Sequence, residues 1–312
     1  MNALLAEVVR SGFVEGHHYG SVVGLAADGS VALAVGKPDE PVFPRSSNKP
    51  LQAVAMVEAG LDLDGELLAL ASASHSGEPF HLDGARRILA AAGLDESALQ
   101  TPPELPVDEK TKQAYVAAGG SPSPLAMNCS GKHAAMLATC VANHWPTGTY
   151  RDPDHPLQVA VRRTVERLAG EQVAAVGVDG CGAPLFALSL TGLARAFAAI
   201  ATAPAGSPEH RVATAIRRHP EWLGGTGRDV TRLVAGVPGL IAKDGAEGVY
   251  AAGLPDGRAV ALKIDDGASR ARPPVMVAAL RTLGVDAPVL DELADVPLLG
   301  GGQPVGAVRA VL

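Results

Sequence analysis

The sequence predicts an α/β (α+β) fold in which one antiparallel sheet is built from both ends of the chain, flanked by helices, with a helical insertion between. Two observations carry this. Apolar, strand-like runs lie near the start, at Val22–Ala26 and Ser30–Val35, and the strand period returns after Gly239. Between them, from about 46 to 238, apolar residues recur at helical spacing in one segment after another. No internal repeat or low-complexity stretch interrupts this order, so the 312 residues read as a single domain, 1–312, with sheet portions at about 1–45 and 239–312.

The two early runs are joined by Asp28-Gly29, a strong hairpin signal. Ahead of them stands Glu15-Gly16-His17-His18-Tyr19, whose adjacent histidines would point to opposite faces of a strand and so not share a metal. Pro50 to Gly60 predicts a central helix, with Pro in its first turn, apolar residues on most faces and Gly60 as its stop. Leu67–Ala73 is a second apolar segment. It runs into Ser74-His75-Ser76-Gly77-Glu78-Pro79, which Gly and Pro turn into an exposed loop. His81–Ala92 is amphipathic, and Thr101–Pro124 reads as surface loop or short irregular helix. Ala134–Ala142, His155–Ala169, Pro184–Pro204 and Glu209–Arg218 are further helices, and Val173–Val178 is a short buried strand. Gly224 to Arg228 is a flexible loop before a helical start at Asp229. Leu240–Lys243, Gly248–Leu254 and Arg258–Ile264 return to strand, followed by a helix near Pro274–Leu283 and a short tail, Val305–Leu312.

Composition excludes several classes. A net charge of −7 argues against nucleic acid or an anionic membrane as partner. The apolar run 184–204 contains Arg195 with Ser, Thr and Gly, and reads as a buried helix rather than a membrane span. No basic start precedes an apolar stretch, so no secretory signal is expected. Three cysteines cannot all pair within one chain, which suits a reducing cytoplasm.

The chemistry concentrates in a few blocks. In Arg45-Ser46-Ser47-Asn48-Lys49-Pro50, Ser46 and Lys49 are three residues apart, so a helical first turn puts both on one face. A lysine whose pKa is depressed can take the proton of such a serine, which makes the pair a candidate nucleophile and base. The order of sheet, Ser-x-x-Lys helix, helical region and late Lys243-Asp244-Gly245 is similar to the serine β-lactamase and penicillin-binding fold, although Asp244 stands where that fold carries a hydroxyl. Glycines crowd Cys129, in Asn128-Cys129-Ser130-Gly131-Lys132-His133, and Cys181, in Asp179-Gly180-Cys181-Gly182. Tight backbone of this kind suits a built site, and two thiolates from distant segments can hold Zn²⁺ with a nearby nitrogen or carboxylate. The alternative is two buried free cysteines, as expected for Cys140 amid its apolar helix.

Taken together, Arg-Ser-x-x-Lys, Ala-Ser-His-Ser, Asn-Cys-Ser-Gly-Lys-His, Asp-Gly-Cys-x-x-Pro and the late Lys-x-Gly resemble the rhizobial-type L-asparaginases over essentially the whole chain. The resemblance implies a β-lactamase- and glutaminase-like fold, a homodimer, and two Ser-Lys tandems in one pocket, Ser46 with Lys49 and Ser74 with Lys243. It further implies a zinc site at Cys129, Lys132 and Cys181, with Asp179 placed to orient Cys181 or a bound water. Arg45 and His133 match residues that line the substrate pocket, and Arg45 would pair with the substrate α-carboxylate. The expected reaction is hydrolysis of L-asparagine to L-aspartate and ammonia through an acyl-enzyme, with Ser46 favoured as nucleophile and zinc accessory. A β-lactamase-like serine esterase or amidase, needing no cysteine site, and a non-catalytic zinc-binding protein are the rival expectations.

Overall fold

The computed structural model describes residues 2–312. β1 (Ala3–Arg10) and β2 (Phe13–Leu25) form a hairpin, and β3 (Val31–Val35) folds back on β2 across Asp28-Gly29 as predicted. The Asp28 carboxylate accepts hydrogen bonds from Ser30 N at 2.9 Å and Ser30 Oγ at 2.6 Å, the local bonding that makes aspartate a turn residue. His17 is exposed and His18 buried, on opposite faces of β2 as expected.

The middle of the chain supplies α1 (Lys49–Glu58), α2 (Gly65–Ala71), α3 (Pro79–Ala91), α4 (Glu109–Ala117), α5 (Ser130–Ala142) and α6 (Pro156–Ala169). A small hairpin, β4 (Val176–Val178) and β5 (Pro184–Phe186), then precedes α7 (Leu190–Thr202), α8 (Pro208–Arg218), α9 (Pro220–Leu223) and α10 (Asp229–Gly236). The chain returns to the sheet with β6 (Ile241–Asp244), β7 (Val249–Gly253) and β8 (Ala259–Ile264), and ends with α11 (Arg272–Thr282), α12 (Pro288–Ala294), β9 (Val296–Gly300) and β10 (Gln303–Ala310).

The main sheet has eight antiparallel strands, ordered β6-β7-β8-β2-β1-β10-β9, with β3 on the second half of β2. Residues 3–35 and 241–310 thus build one sheet, as the pattern of strand-like runs predicts. Helix α7 packs on β2, β7 and β8, and α11 on β8 and β10. At Gly253 a Cβ would lie 2.4 Å from Phe197 O, so α7 sits closer to β7 than any side chain there would allow. Helix α1 is buried along its length: Leu51, Val54 and Met56 are wholly enclosed, each worth about 1.5–3 kcal/mol of burial. It packs against α5, α6 and α8, which is why a helix apolar on most faces is central.

Four expectations are corrected. The segment expected as helix from Pro184 begins as buried strand β5, and the helix waits for Ser189, whose hydroxyl caps Gly192 N at 2.9 Å. β4, expected as a buried strand, lies at the surface with Val178 76% exposed, because its strand partner is β5 alone. The stretch 101–124 holds a regular helix, α4, started by Asp108 accepting from Thr111 N at 2.8 Å. Finally, Ser74, His75 and Ser76 are buried rather than exposed.

Candidate active site

Arg45–Asn48 form a single 3-10 turn that runs directly into α1. Arg45 has a left-handed backbone, φ +50°, a strained conformation for a non-glycine residue and one that clusters at functional sites. The turn is fixed against β6: Ser47 Oγ donates to Lys243 O at 3.0 Å. Gly245 makes this approach possible, since a Cβ there would lie 2.8 Å from Pro44 O and 2.9 Å from Ser47 Oγ. The glycine of the late Lys-x-Gly block therefore serves the serine turn. Ser46 itself is half-buried, and its hydroxyl makes no hydrogen bond among the described residues.

Three lysines are almost completely buried here: Lys49 and Lys132 at 1% exposure and Lys243 at 0%. Lysine is almost never fully buried without partners, so three in one region mark a built site. Lys49 Nζ donates to Ala73 O at 2.6 Å, Ser74 Oγ at 2.8 Å and Cys129 Sγ at 2.9 Å. Lys243 Nζ donates to Asp244 O at 2.7 Å and to the Asp244 carboxylate. Burial pulls the Lys243 ammonium down; Asp244 opposes this, and the charges of Lys49 and Arg228 assist it, leaving a pKa of about 8.

The Ser74 segment is held from both sides. Ser74 N donates to Leu223 O at 3.1 Å and Ser76 N to Gly224 O at 2.8 Å, while His75 N donates to Asn128 O at 3.0 Å. His75 Nε2 and Ser130 Oγ are 2.9 Å apart. The loop before α10 thus covers Ser74, which is the reason it is buried.

The thiols Cys129 and Cys181 are brought together with Lys132, whose Nζ donates to Cys181 Sγ at 3.1 Å. A hydrogen bond from Cys129 lowers the Cys181 thiol far below its ordinary value, Lys132 adding to this against burial; the same bond raises Cys129. Burial works against the Lys132 charge, but Cys181, Cys129 and Asp179 outweigh it and hold the amine protonated. Asp179 Oδ1 accepts from Arg45 Nε at 2.8 Å and Gly180 N at 2.9 Å, and its Oδ2 lies 4.0 Å from Cys181 Sγ. It therefore joins the thiol cluster to the serine turn. Cys140 stands apart as a free buried cysteine, raised to about 11 by burial.

A cleft of about 600 Å³ opens between α3 and α4, lined by Gly77, Glu78, Asp108, Lys110, Tyr115 and Thr226 among others. It contains none of the buried lysines, thiols or serines. The site is assigned instead from the groups that touch one another, because proton transfer requires contact and the cleft walls are ordinary surface side chains.

The family model described as L-asparaginase II matches residues 6–310. The chain belongs to the L-asparaginase II family. No curated protein matches it by sequence. Among solved structures it is similar to a β-lactamase from Mycobacterium bovis, at 13% identity and TM-score 0.47, covering 85% of this chain and 94% of that one. It is also similar to EstCE1, a hydrolase with promiscuous acyltransferase activity, at 14% identity and TM-score 0.43, covering 85% and 93%. A third is Mglu in its native form, at 14% identity and TM-score 0.45; the chain spans 62% of that protein's length. Among the described residues, no helix of this asparaginase II family member is long and apolar enough to cross a membrane.

Within this family framework the structure gathers the sequence-predicted residues but changes some partners. Lys49 contacts Ser74 rather than Ser46, and Lys243 contacts Asp244 rather than Ser74. Lys49 Nζ is held by Ala73 O, Ser74 Oγ and Cys129 Sγ, and Asp244 is the anion beside Lys243. His133, expected in the substrate pocket, is fully buried; its Nδ1 is 2.7 Å from Tyr150 Oη, and burial lowers it to about 4. Arg45 is shared between Asp179 and Glu247, the latter at 3.6 Å. The sequence reading missed Asp244, Arg228 and Arg272 as one charged cluster. Arg228 Nη2 donates to Asp244 Oδ2 at 2.7 Å, and Arg272 Nη1 lies 3.4 Å from the same oxygen and donates to Gly245 O at 2.7 Å. The signal for it was the acid Asp244 standing in the Lys-x-Gly block.

Proposed function

We propose that this protein hydrolyses L-asparagine to L-aspartate and ammonia through a serine acyl-enzyme. The observation that carries the reading is the buried amine of Lys49 in contact with Ser74 Oγ, one turn after Ser46, in a chain of the L-asparaginase II family. Ser46 is the more accessible of the two serines and acts as nucleophile. Its Oγ attacks the side-chain carbonyl carbon, and the hydroxyl proton passes by way of Ser74 Oγ to Lys49. The C–N bond breaks and ammonia leaves with a returned proton; water then cleaves the ester and releases aspartate. Ser74, hydrogen-bonded to Lys49, holds that amine and relays protons, and Arg45 binds the α-carboxylate. Burial, helped by the charges of Lys49 and Arg228, pulls Lys243 to about 8, so this amine gives up its proton in that range.

This sets a pH dependence. The reactive form is the deprotonated one, so activity rises with pH through the cluster's titration, with an acid limb near the Lys243 value of about 8. Ammonia release from asparagine and from glutamine, measured side by side from pH 6 to 10, tests both points. Turnover of nitrocefin without ammonia release from either amide would replace this reading with that of a β-lactamase-like esterase or amidase.

The thiol cluster fits zinc. Its donors are two sulfurs and one nitrogen, Cys181 is already disposed to ionise, and Lys132 would lose its proton on binding. Groups of three or more His, Cys, Asp or Glu are absent among the described residues, so a third donor beside the two sulfurs would have to be the Lys132 amine. Zinc held by Cys129, Lys132 and Cys181 would supply a fixed positive charge that braces the site, accessory to the serine chemistry. Wild-type protein is expected to retain about one zinc per chain and Cys181→Ser to lose it, by metal analysis after gel filtration. Stripping the metal should lower the melting temperature, since a ligand at a hundred to a thousand times Kd stabilises by about 3–4 kcal/mol. A melting temperature indifferent to zinc would count against the site.

A further inference from the structure

We propose that Arg228 is a positioning residue of this active site, whose two guanidinium nitrogens tie the Ser74 segment to the strand end that carries Lys243. The inference rests on the serine–lysine reading above. Arg228 Nη1 donates to Ser74 O at 3.0 Å, while Nη2 donates to Asp244 Oδ2 at 2.7 Å. Asp244 in turn receives Lys243 Nζ. One planar fork thus links a backbone carbonyl of one segment to the anion that orients the amine of another, which a lysine's single ammonium is poorly shaped to do.

The surrounding chain makes this grip specific. Arg228 lies at the start of α10, at the end of a strip already zipped to the Ser74 loop. Thr226 N and Oγ1 donate to the Glu78 carboxylate at 2.7 and 2.8 Å, and Thr231 Oγ1 holds Gly225 O at 2.7 Å. Gly225, at φ +133°, presses on Ser76, where a Cβ would come within 2.0 Å of Ser76 Oγ. The strip fixes where Arg228 begins, and Arg228 carries that position across to β6.

The charge of Arg228 acts as well. Lys243 is faced by Asp244 on its own strand, Lys49 from α1 and Arg228 just before α10; Asp244 is faced in turn by Arg228, Asp229 from α10, Tyr250 from β7 and Arg272 from α11. Arg228 repels the Lys243 ammonium and also draws on the Asp244 carboxylate that stabilises it. Removing Arg228 withdraws the repulsion and leaves Asp244 more fully to Lys243. Both changes favour the protonated amine, so Lys243 would hold its proton to higher pH.

Arg228→Gln and Arg228→Lys separate the fork from the charge. Arg228→Gln is expected to lower kcat on asparagine by at least about tenfold, with KM within about threefold, because a hydrogen-bonded charge is lost without loss of a substrate contact. Its acid limb should move up by about one pH unit. Arg228→Lys should keep the limb near its wild-type position, since the charge remains, while kcat stays several-fold low because one amine cannot serve both acceptors. A direct readout is the pH titration of Lys243 by NMR with lysine labelled at Cε, assigned by the signal lost in Lys243→Met. Wild-type kcat and limb in Arg228→Gln would overturn the proposal. So would equal losses in both variants with the Lys243 titration unmoved, the result expected of a purely structural residue. If Arg228→Gln does not fold, Arg228→Lys decides, since wild-type kcat there removes the need for the fork. If the wild-type enzyme releases no ammonia from asparagine or glutamine, the proposed function fails, and the NMR titration still reads Arg228.

Discussion

Lys49→Met is expected to lower kcat for ammonia release from asparagine by at least about 10³-fold while leaving the protein folded. Lys49 is the one amine in contact with a candidate catalytic serine, at 2.8 Å from Ser74 Oγ, and it also touches Ala73 O and Cys129 Sγ. A neutral amine has two hydrogens and one lone pair. It can give its hydrogens to Ala73 O and Cys129 Sγ and accept from a hydroxyl, the arrangement a base requires. Methionine fills the same volume with no lone pair of comparable basicity and puts no charge into the core. The melting temperature is expected to stay near that of wild type, because the hydrogen bonds lost at Ala73 O, Ser74 Oγ and Cys129 Sγ are offset by burial of an apolar side chain. A variant with more than a tenth of wild-type kcat would remove Lys49 from the base role.

The two serines should separate in the same assay. Ser46→Ala is expected to abolish turnover, as loss of a nucleophile does, to the level of about 10⁴-fold or more below wild type. Ser74→Ala removes only a relay and a hold on Lys49, and should cost about 10²-fold. Rapid-quench mass spectrometry supplies the second readout. The added acyl mass should map to the peptide containing Ser46 in wild type and persist longer in Ser74→Ala, where deacylation lacks its relay. Acyl mass on the Ser74 peptide would exchange the two roles. The structure sharpens this test because it gives Lys49 to Ser74 while leaving Ser46 half-buried with a free hydroxyl.

Much of the fold was legible because its signals are local. The Asp28-Gly29 hairpin, the stop at Gly60 and the return of strand period after Gly239 each depend on a few neighbouring residues, and each appears where expected. The misses have a common physical cause. β1 (Ala3–Arg10) alternates poorly between faces, so period gave it no voice, and its place is set by β2 and β10 on either side. β5 looked like the start of a helix because three apolar residues fit either period, and its pairing with β4 decides. The Ser74 loop looked exposed because Gly and Pro turn a chain without saying what covers it; the strip 223–228 does the covering.

The sequence by itself, through its blocks and the family they resemble, named the candidates: Ser46, Lys49, Ser74 and Lys243 from the serine blocks, and Cys129, Lys132, Cys181 and Asp179 from the cysteine blocks. It also determined that both chain ends would share one sheet, since strand and helix periods are written residue by residue. The tertiary structure alone decided who touches whom. Lys49 turns to Ser74, Lys243 to Asp244, Arg45 to Asp179, and Arg228 reaches across to two segments at once. A hydrogen-bond partner depends on ångström-scale placement of segments far apart in sequence, such as 74, 228 and 244, and no periodicity or spacing within one segment encodes that distance.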